Sequence, residues 1–454
     1  MKDLTIGREG KLILFFALPM LVGNLLQQLY SMVDSSIVGK FIGKEALAAV
    51  GASFPVIFTM IALMIGISSG GMVVIAQYFG AKDMKKVKKA IETLYIFMFF
   101  ASIILTIIGL FVIDPIFSIT KLPLELIPQA KTYLSIYISG IILFFGYNGT
   151  SAILRGMGDS KTPLYFLLLS TILNIILDLL FIIVFKWGIA GAAFATLISQ
   201  GGALAGLMIY LHHNHPIISF DFRKWSFDWN IFKQSFKIGL PTGLQQTFVA
   251  LGMMALFSIV NTFGTDVVAA FTAAGRIDAL AIASAMVFSQ ALATFTGQNL
   301  GAGMPERVKR GLLMTLLMSW AISAIMTIII LVYKSEIMHL FTNSNETEVI
   351  RIGGEYLTIV TPFYLIFTTM FTFNGVMRGA GDTLIPMFIS LFALWLIRIP
   401  MAYFLSDKIG ESGIWWSVPI GWTAGAIMSY FYYKTGQWKK KIIVVRVSED
   451  QSIL

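Results

Sequence analysis

Long apolar stretches separated by short polar turns make up most of this chain of 454 residues. A hydrocarbon core about 30 Å thick requires roughly 20 predominantly apolar residues for each helical crossing. Several stretches exceed this length and contain proline, as at Pro19, Pro55 and Pro241, which predicts tilted or kinked helices. The pattern predicts spans 1 to 12, at approximately residues 12–38, 46–78, 88–113, 131–154, 163–185, 189–211, 232–262, 267–299, 308–333, 351–376, 384–405 and 412–433.

The amino-acid composition also indicates an integral membrane protein. Hydrophobic residues make up 57% and charged residues only 13%, whereas soluble proteins carry about 25% charged residues. The chain has no cysteine, which excludes disulfides, thiolate metal sites and cysteine nucleophiles. The first apolar run contains Asn24 and Asp34 and no small-residue cleavage motif follows it, so we expect a retained helix rather than a signal peptide.

Lys and Arg residues are distributed unevenly between the two sides of the predicted spans. With the N-terminus in the cytoplasm, 23 of the 33 lie on the cytoplasmic side and 8 on the outer side. The positive-inside rule therefore predicts that both termini are cytoplasmic in a cell (inner) membrane. The net charge of +9 is spread over short turns and forms no continuous basic patch with aromatic residues, so we expect no nucleic-acid partner.

The second half of the chain repeats the first. The repeated pairs are R-G-M-G-D-S-K-T-P at Arg155 and R-G-A-G-D-T-L-I-P at Arg378, Q-Y-F-G-A at Gln77 and Q-N-L-G-A at Gln298, and A-L-P at Ala17 and G-L-P at Gly239. Six spans per copy is an even number, so both copies insert in the same orientation, as parallel repeats do. We predict four segments: an N-terminal lobe (1–211), an interfacial linker (212–231), a C-terminal lobe (232–436) and a tail (437–454).

These paired motifs, together with G-I-A-G-A-A at Gly188, resemble the multidrug and toxic compound extrusion (MATE) family, and within it the DinF-like branch. The resemblance implies an all-α membrane fold of two pseudo-symmetric six-helix lobes in a V shape. It also implies antiport that exports bulky, often cationic organic compounds in exchange for Na⁺ or H⁺. The wider superfamily contains flippases for lipid-linked saccharide precursors, which is the alternative activity.

Acidic residues inside the spans are the first candidates for chemistry, because an unpaired charge in a membrane helix costs several kcal/mol. Asp34 in span 1 and Asp178 in span 5 lie at similar depths from the outer helix ends, as does Thr196 in span 6. Asn174 precedes Asp178 by four residues and so shares its helix face. These oxygens suit Na⁺, and two close carboxylates could instead hold a proton. The alternative is that they only hydrogen-bond the helices together.

The resemblance supports the functional interpretation. The DinF-like branch has an acidic residue on helix 1, Asn-x-x-x-Asp on helix 5 and Thr on helix 6, matched here by Asp34, Asn174, Asp178 and Thr196. The repeat offsets place only apolar residues at the equivalent positions of the second copy, namely Leu256, Ile397, Met401 and Val418. A duplicated scaffold therefore does not need this polar cluster for its packing.

Polar residues in the first two spans of each half are candidates for the substrate cavity, with interhelical hydrogen bonding as the alternative. They are Asn24, Gln27, Gln28, Gln245, Gln246 and Arg276. Arg276 and Asp278 are two residues apart and do not share a helix face, so one of them is expected to contact a neighbouring helix. For Arg398 in span 11 we expect a structural role, although Arg276 and Arg398 together would also suit the basic cavity of a flippase.

Other motifs exclude several classes of function. The chain has no Walker motif, so ATP is not expected to drive it. Three of the four histidines lie together at 212–215, too few for a catalytic metal site or triad within the membrane. An intramembrane enzyme, the alternative from another class, would need such a cluster. We therefore expect no enzymatic activity and no cofactor besides the coupling ion, and a monomer whose partners are small organic substrates and membrane lipid.

Overall fold

The computed structural model describes residues 2–119, 122–215, 225–341 and 346–444, which contain helices and no strand. The middle of the predicted linker and the last ten residues of the predicted tail lie outside the described residues. The apolar stretches of the sequence account for the helical content, because a backbone in lipid must satisfy its own hydrogen bonds.

Helices of the first half follow the predicted spans closely. They are α1 (Glu9–Phe41), α2 (Lys44–Gly80), α3 (Met84–Ile119), α4 (Ile127–Ser139), α5 (Ile141–Gly156), α6 (Lys161–Asp178) and α7 (Gly188–Asn214). A π-helical segment, Leu179–Val184, continues α6 and completes span 5. Helices α4 and α5 together form span 4, with a bend of 49° at Gly140.

Helices of the second half repeat this arrangement. They are α8 (Trp229–Asn261), α9 (Thr265–Gly301), α10 (Pro305–Val332), α11 (Lys334–His339), α12 (Thr347–Val360), α13 (Tyr364–Gly379), α14 (Leu384–Leu391), α15 (Ile399–Ile409) and α16 (Glu411–Thr435). Short 3₁₀ segments join α12 to α13 and follow α16, at Thr361–Phe363 and Gln437–Lys441. A second π-helical segment, Phe392–Arg398, joins α14 to α15 within span 11.

The number of apolar spans differs slightly from the prediction. Ten helical segments in the described ranges are long and apolar enough to cross a membrane, and the bent pair α4–α5 makes eleven. Span 12 forms the 25-residue helix α16, but this helix does not meet that hydropathy criterion. Its sequence is rich in Trp, Gly, Ser and Thr, and many of these residues are buried inside the protein, where they need no apolar side chain toward lipid. The predicted all-α membrane fold is confirmed.

Two compact units make up the chain, and their boundaries fall inside helices. Unit 1 contains residues 1–3 and 18–240, and unit 2 contains residues 4–17 and 241–454. Each boundary lies next to the repeated A-L-P or G-L-P motif, at Pro19 in α1 and Pro241 in α8. The division therefore differs from the predicted lobes, because the first part of α1 belongs to the C-terminal unit and the first part of α8 to the N-terminal unit.

Hydrogen bonds account for the assignment of the N-terminal segment to unit 2. The amide of Leu4 donates to Gln298 Oε1 at 2.9 Å, and Asn299 Nδ2 donates to the Leu4 carbonyl at 3.2 Å. Glu9 forms ion pairs with Arg307 and Arg310 at 3.3 and 3.0 Å. The Q-N-L-G-A motif at the end of α9 thus binds the start of the chain.

The segment before α8 is held in unit 1 by corresponding contacts. The amide of Ser226 donates to Glu92 Oε2 at 3.2 Å, and the amide of Asp228 donates to Thr93 Oγ1 at 3.0 Å. Trp225 stacks on Tyr95 with ring centroids 5.4 Å apart. This end of the linker is therefore fixed to α3.

The R-G-x-G-D turns combine a close helix contact with a helix cap. The second glycine of each motif, Gly158 or Gly381, has a positive φ of 82° or 95°, which a residue with a side chain rarely adopts. Asp159 Oδ1 accepts hydrogen bonds from the amides of Lys161 and Thr162, both at 3.0 Å, and so caps α6. In the second copy, Asp382 Oδ2 accepts from the hydroxyl of Tyr432 at 2.5 Å.

Candidate cation-coupling site

The four predicted coupling residues come together inside unit 1. Asp34 lies on α1 and is half-buried, and Thr196 lies on α7 with 8% of its surface exposed. Asn174 and Asp178 lie one turn apart on α6, and both are completely buried. Asp178 is the last residue before the π-helical segment, a type of irregularity often found at functional sites.

Asn174 connects α6 to α7 at the centre of this cluster. With its side-chain amide oriented to satisfy both neighbours, Asn174 donates to Asp178 Oδ2 at 2.8 Å and accepts from the backbone amide of Thr196 at 3.2 Å. The Thr196 hydroxyl donates to the carbonyl of Ala192 at 3.1 Å, which leaves lone pairs of its oxygen available. The i and i+4 spacing of the Asn-x-x-x-Asp motif produces this arrangement.

The two carboxyl groups lie within hydrogen-bonding reach of each other. One oxygen of each, Asp34 Oδ1 and Asp178 Oδ1, is buried without a hydrogen-bond partner. Two ionised carboxylates about 4 Å apart repel by about 4 kcal/mol at an effective dielectric constant near 20. A cation bound between them, or a proton shared by them, would remove this repulsion and satisfy the unpaired oxygens.

Three tyrosines surround the carboxyl pair, and the sequence analysis did not identify them. Tyr30 on α1 lies with its hydroxyl 3.4 Å from Thr196 Oγ1. Tyr133 and Tyr137 on α4 stack with ring centroids 6.2 Å apart, and both interact electrostatically with Asp34. Their spacing carries a usable signal, because Tyr30 precedes Asp34 by four residues and Tyr133 precedes Tyr137 by four. They add hydroxyl groups to the amide of Asn174 and the hydroxyl of Thr196 around the carboxyl pair.

The donor set fits a monovalent hard cation. In the described ranges of the chain, no group of three or more His, Cys, Asp or Glu side chains comes together to hold a metal ion. Two carboxylates with amide and hydroxyl oxygens are hard ligands of the kind that alkali and alkaline-earth cations prefer. Asp34, Asn174, Asp178 and Thr196 are thus the residues that would hold Na⁺.

Among the predicted cavity residues of unit 1, Asn24, Gln27 and Gln28 all lie on α1 with exposed side chains. Their spacing of three and four residues places them on one helix face, on the turns before Tyr30. They remain candidates for contact with substrate.

The predicted cavity residues of unit 2 behave differently from one another. Gln246 is half-buried, and Arg276 is exposed with its guanidinium 6.0 Å from the ring centre of Phe341. Gln245 is only 4% exposed, and its amide donates to Ser390 Oγ at 2.6 Å and accepts from Arg378 at 2.6 Å. Both ends of its amide are engaged within unit 2, so Gln245 joins α8 to α13 and α14, and its assignment to the cavity stays a prediction.

Comparison with known proteins identifies the family. The MatE family pattern matches residues 19–180 and 241–404, once in each half of the chain. The probable multidrug resistance protein YpnP of Bacillus subtilis is 32% identical over 437 residues, which cover 96% of this chain and 97% of YpnP. YoeA of the same organism, also named a probable multidrug resistance protein, is 32% identical over 438 residues and 94% of each chain.

A solved structure agrees with these relatives. The outward-facing conformation of a multidrug resistance MATE family transporter of the MOP superfamily superposes with a TM-score of 0.90 at 26% identity, covering 97% of this chain and 99% of the other. Similarity of this extent in both sequence and fold leaves the enzyme alternative without support. The chain belongs to the MatE family of multi-pass membrane transporters.

Proposed function

We propose that this transporter is a secondary active antiporter of the DinF-like branch that exports bulky organic compounds and is coupled to Na⁺ or H⁺ through Asp34 and Asp178. The observation that carries the proposal is the pair of buried carboxyl groups, each with one unpartnered oxygen, enclosed by Asn174, Thr196 and tyrosine hydroxyls. We further propose that the protein acts as a monomer. We also propose that both termini lie in the cytoplasm, which the distribution of Lys and Arg supports.

Coupling follows from the charge of the pair. A cation that enters from the outside reduces the repulsion between Asp34 and Asp178, so the loaded and empty states of unit 1 differ in electrostatic free energy. Differential free energy of this kind is what allows a ligand to shift a conformational equilibrium. In this scheme, cation binding drives the release of cargo to the outside and the return to the inward-facing state.

Broken symmetry between the repeats also supports a coupling role. The positions equivalent to the cluster carry Leu256, Ile397, Met401 and Val418, and Leu256 and Val418 are buried in the apolar core of unit 2. The same scaffold therefore packs without polar residues at these four positions. An Asp introduced at Met401 should not create a second coupling site, because its neighbours offer no oxygen ligands.

The flippase alternative depended partly on a basic cavity containing Arg276 and Arg398. Arg398 interacts electrostatically with Asp278 inside unit 2, which weakens the case for a cavity lined by its charge. Arg276 alone is a weaker reason to expect an anionic lipid-linked cargo. We therefore favour the export of uncharged or cationic organic compounds.

The test is efflux from liposomes by the purified protein, with Na⁺ and pH gradients imposed separately. Asp34→Asn and Asp178→Asn should each reduce gradient-driven dye efflux to background, while both variants remain inserted and folded. A matched control is Asp114→Asn, which neutralises an exposed carboxylate paired with Lys131 at 2.8 Å in the same unit and should keep near-normal efflux. Near-normal coupled efflux from both site variants would show that the cluster only joins helices.

A further inference from the structure

Unit 2 contains a buried carboxylate of its own, with no unsatisfied oxygen. Asp278 on α9 is only 6% exposed. The hydroxyl of Tyr364 donates to its Oδ1 at 2.5 Å, and the hydroxyl of Tyr356 donates to its Oδ2. An ionised carboxylate has only acceptor atoms, so two hydroxyl donors can satisfy both of its oxygens.

A positive charge is built into the same region. Arg398 is the last residue of the π-helical segment in span 11, and it interacts electrostatically with both Asp278 and Tyr356. A side-chain carbon on Gly421 of α16 would lie 2.9 Å from Arg398 Cβ, so this glycine makes room for the arginine. Arg398 Nη1 lies 3.8 Å from the sulfur of Met253, and its Nε is buried without a hydrogen-bond partner.

Asp278 and Arg398 form a pair that acts over a distance. Within the part of the chain that the structure describes, no ion pair within 4.0 Å joins them, and Arg398 is the charged group that interacts with Asp278. The other groups that face this carboxylate are the two tyrosine hydroxyls, which are neutral donors. Arg398 is therefore the candidate counter-charge for Asp278 in unit 2.

The two units place opposite charges in corresponding elements. In span 5 the carboxylate Asp178 immediately precedes a π-helical segment, and in span 11 the guanidinium of Arg398 ends one. Among the described residues of unit 1, Asp34 and Asp178 each have one unpartnered carboxyl oxygen, and no cationic side chain interacts with either of them. Unit 2 has one carboxylate with both oxygens satisfied and a permanent cation nearby.

We propose that Arg398 is a built-in counter-cation for Asp278, which takes the place in unit 2 of the exchangeable cation of unit 1 and so limits the transporter to one coupling site. Removing its charge converts Asp278, Tyr356 and Tyr364 into a second site for a monovalent cation, either Na⁺ or a proton. The inference about stoichiometry rests on the proposed coupling role of Asp34 and Asp178, whereas the role of Arg398 toward Asp278 does not.

The experiment separates the two units by using a parent protein with Asp34→Asn and Asp178→Asn. Purified variants in lipid nanodiscs are tested for binding of radioactive ²²Na⁺ at alkaline pH and for the infrared C=O band of a protonated carboxyl at neutral pH. Adding Arg398→Met to the parent should produce one bound Na⁺ per protein or the carboxyl band. Adding Asp278→Asn as well should abolish the new signal, and Arg398→Lys, which keeps the charge, should resemble the parent.

A double variant controls for loss of folding in Arg398→Met. If Arg398→Met alone gives no monodisperse protein, the addition of Asp278→Asn should restore it, because the unpaired charge is then gone. Three results would each overturn the proposal. They are a folded Arg398→Met variant with neither a bound cation nor a carboxyl band, an Asp278 carboxyl band already present in the parent, and failure of Asp278→Asn to rescue folding. The difference in Na⁺ binding between the wild type and the parent depends only on Asp34 and Asp178 of unit 1. The proposed coupling role of that pair can therefore fail independently of the proposed role of Arg398.

Discussion

A substitution at Thr196 can test whether Na⁺ or a proton is the coupling ion. A bound Na⁺ needs several oxygen ligands, whereas a proton needs only one carboxylate. We expect Thr196→Val to weaken Na⁺ binding by about 1 kcal/mol, roughly fivefold, because one polar contact is lost. It should leave efflux driven by a pH gradient unchanged, since Asn174 contacts the backbone amide of residue 196 rather than the hydroxyl. The measurement is the Na⁺ concentration for half-maximal efflux.

A threonine elsewhere in the same unit provides the control. Thr171 on α6 is half-buried, and its hydroxyl donates only to the carbonyl of Leu167 at 2.9 Å. Thr171→Val should therefore change neither Na⁺ affinity nor the response to pH. An equal loss of Na⁺-driven and proton-driven efflux in Thr196→Val would contradict a ligand role and indicate distorted packing of α7.

At the residue scale, the sequence was sufficient to single out Asp34, Asn174, Asp178 and Thr196 but not the tyrosines around them. Asp34 and Asp178 are conspicuous because charge is rare in apolar helices, and the i, i+4 spacing adds Asn174. The tyrosines around them are not conspicuous, since the chain has 15 tyrosines. The partners of Asp278 lie 78 and 86 residues away on α12 and α13, a separation that no local pattern reveals.

Close contact between α9 and α13 depends on the first glycine of the second R-G-x-G-D motif. A side-chain carbon on Gly379 would lie 2.4 Å from the carbonyl oxygen of Ala293 and 2.7 Å from Thr296 Cβ. Since the nearest obstacle is backbone, Gly379→Ala must push the helices apart, and we expect a loss of about 1–3 kcal/mol in the free energy of unfolding. Thermal unfolding of the purified variant in detergent measures this loss.

Gly354 in α12 is a helical glycine with space around it. A carbon added there would meet only Lys334 Cδ, at 3.9 Å. Because alanine is a better helix former than glycine by up to about 1 kcal/mol, Gly354→Ala should hold or raise the unfolding temperature. If Gly354→Ala and Gly379→Ala lowered the unfolding temperature equally, the contact between α9 and α13 would not be the cause.

At the element scale, hydropathy predicted where helices lie but not how they are divided. Each predicted span corresponds to a helical segment, because twenty apolar residues in lipid have few alternatives. The π-helical segments at Leu179–Val184 and Phe392–Arg398 have no sequence signature that we recognised. The assignment of residues 4–17 to unit 2 depends on hydrogen bonds to Gln298 and Asn299 almost 300 residues away.

At the scale of the whole molecule, duplication supplies the scaffold and divergence supplies the chemistry. The MatE pattern matches both halves, and both contain a proline-bearing first helix, a glycine-rich turn and a π-helical segment in the fifth span. The ionisable groups inside the spans, unlike the Arg and Asp of the R-G-x-G-D turns, are not duplicated. Unit 1 has a carboxyl pair with unpartnered oxygens, and unit 2 has a carboxylate with a guanidinium. A transporter with two equivalent lobes would have no reason to differ in this way.

The proposed orientation, with both termini in the cytoplasm, can be tested by labelling. Lys408 near the end of α15 and Thr435 at the end of α16 are both exposed, and α16 between them is 25 residues, or about 37 Å, long. The two positions therefore lie on opposite sides of a membrane that α16 crosses. Because the chain has no cysteine, single cysteines introduced there are the only thiols.

An impermeant thiol reagent applied to intact cells should label Lys408→Cys and spare Thr435→Cys, because the positive-inside rule places the lysine-rich C-terminal end in the cytoplasm. After the membrane is permeabilised, both variants should react, which shows that Thr435→Cys is accessible once the reagent reaches it. Labelling of Thr435→Cys alone in intact cells would show that the orientation is the opposite of the proposed one. The acidic pair of unit 1, close to the outer ends of α1 and α6, would then face the cytoplasm, and a cation entering from outside could not reach it first.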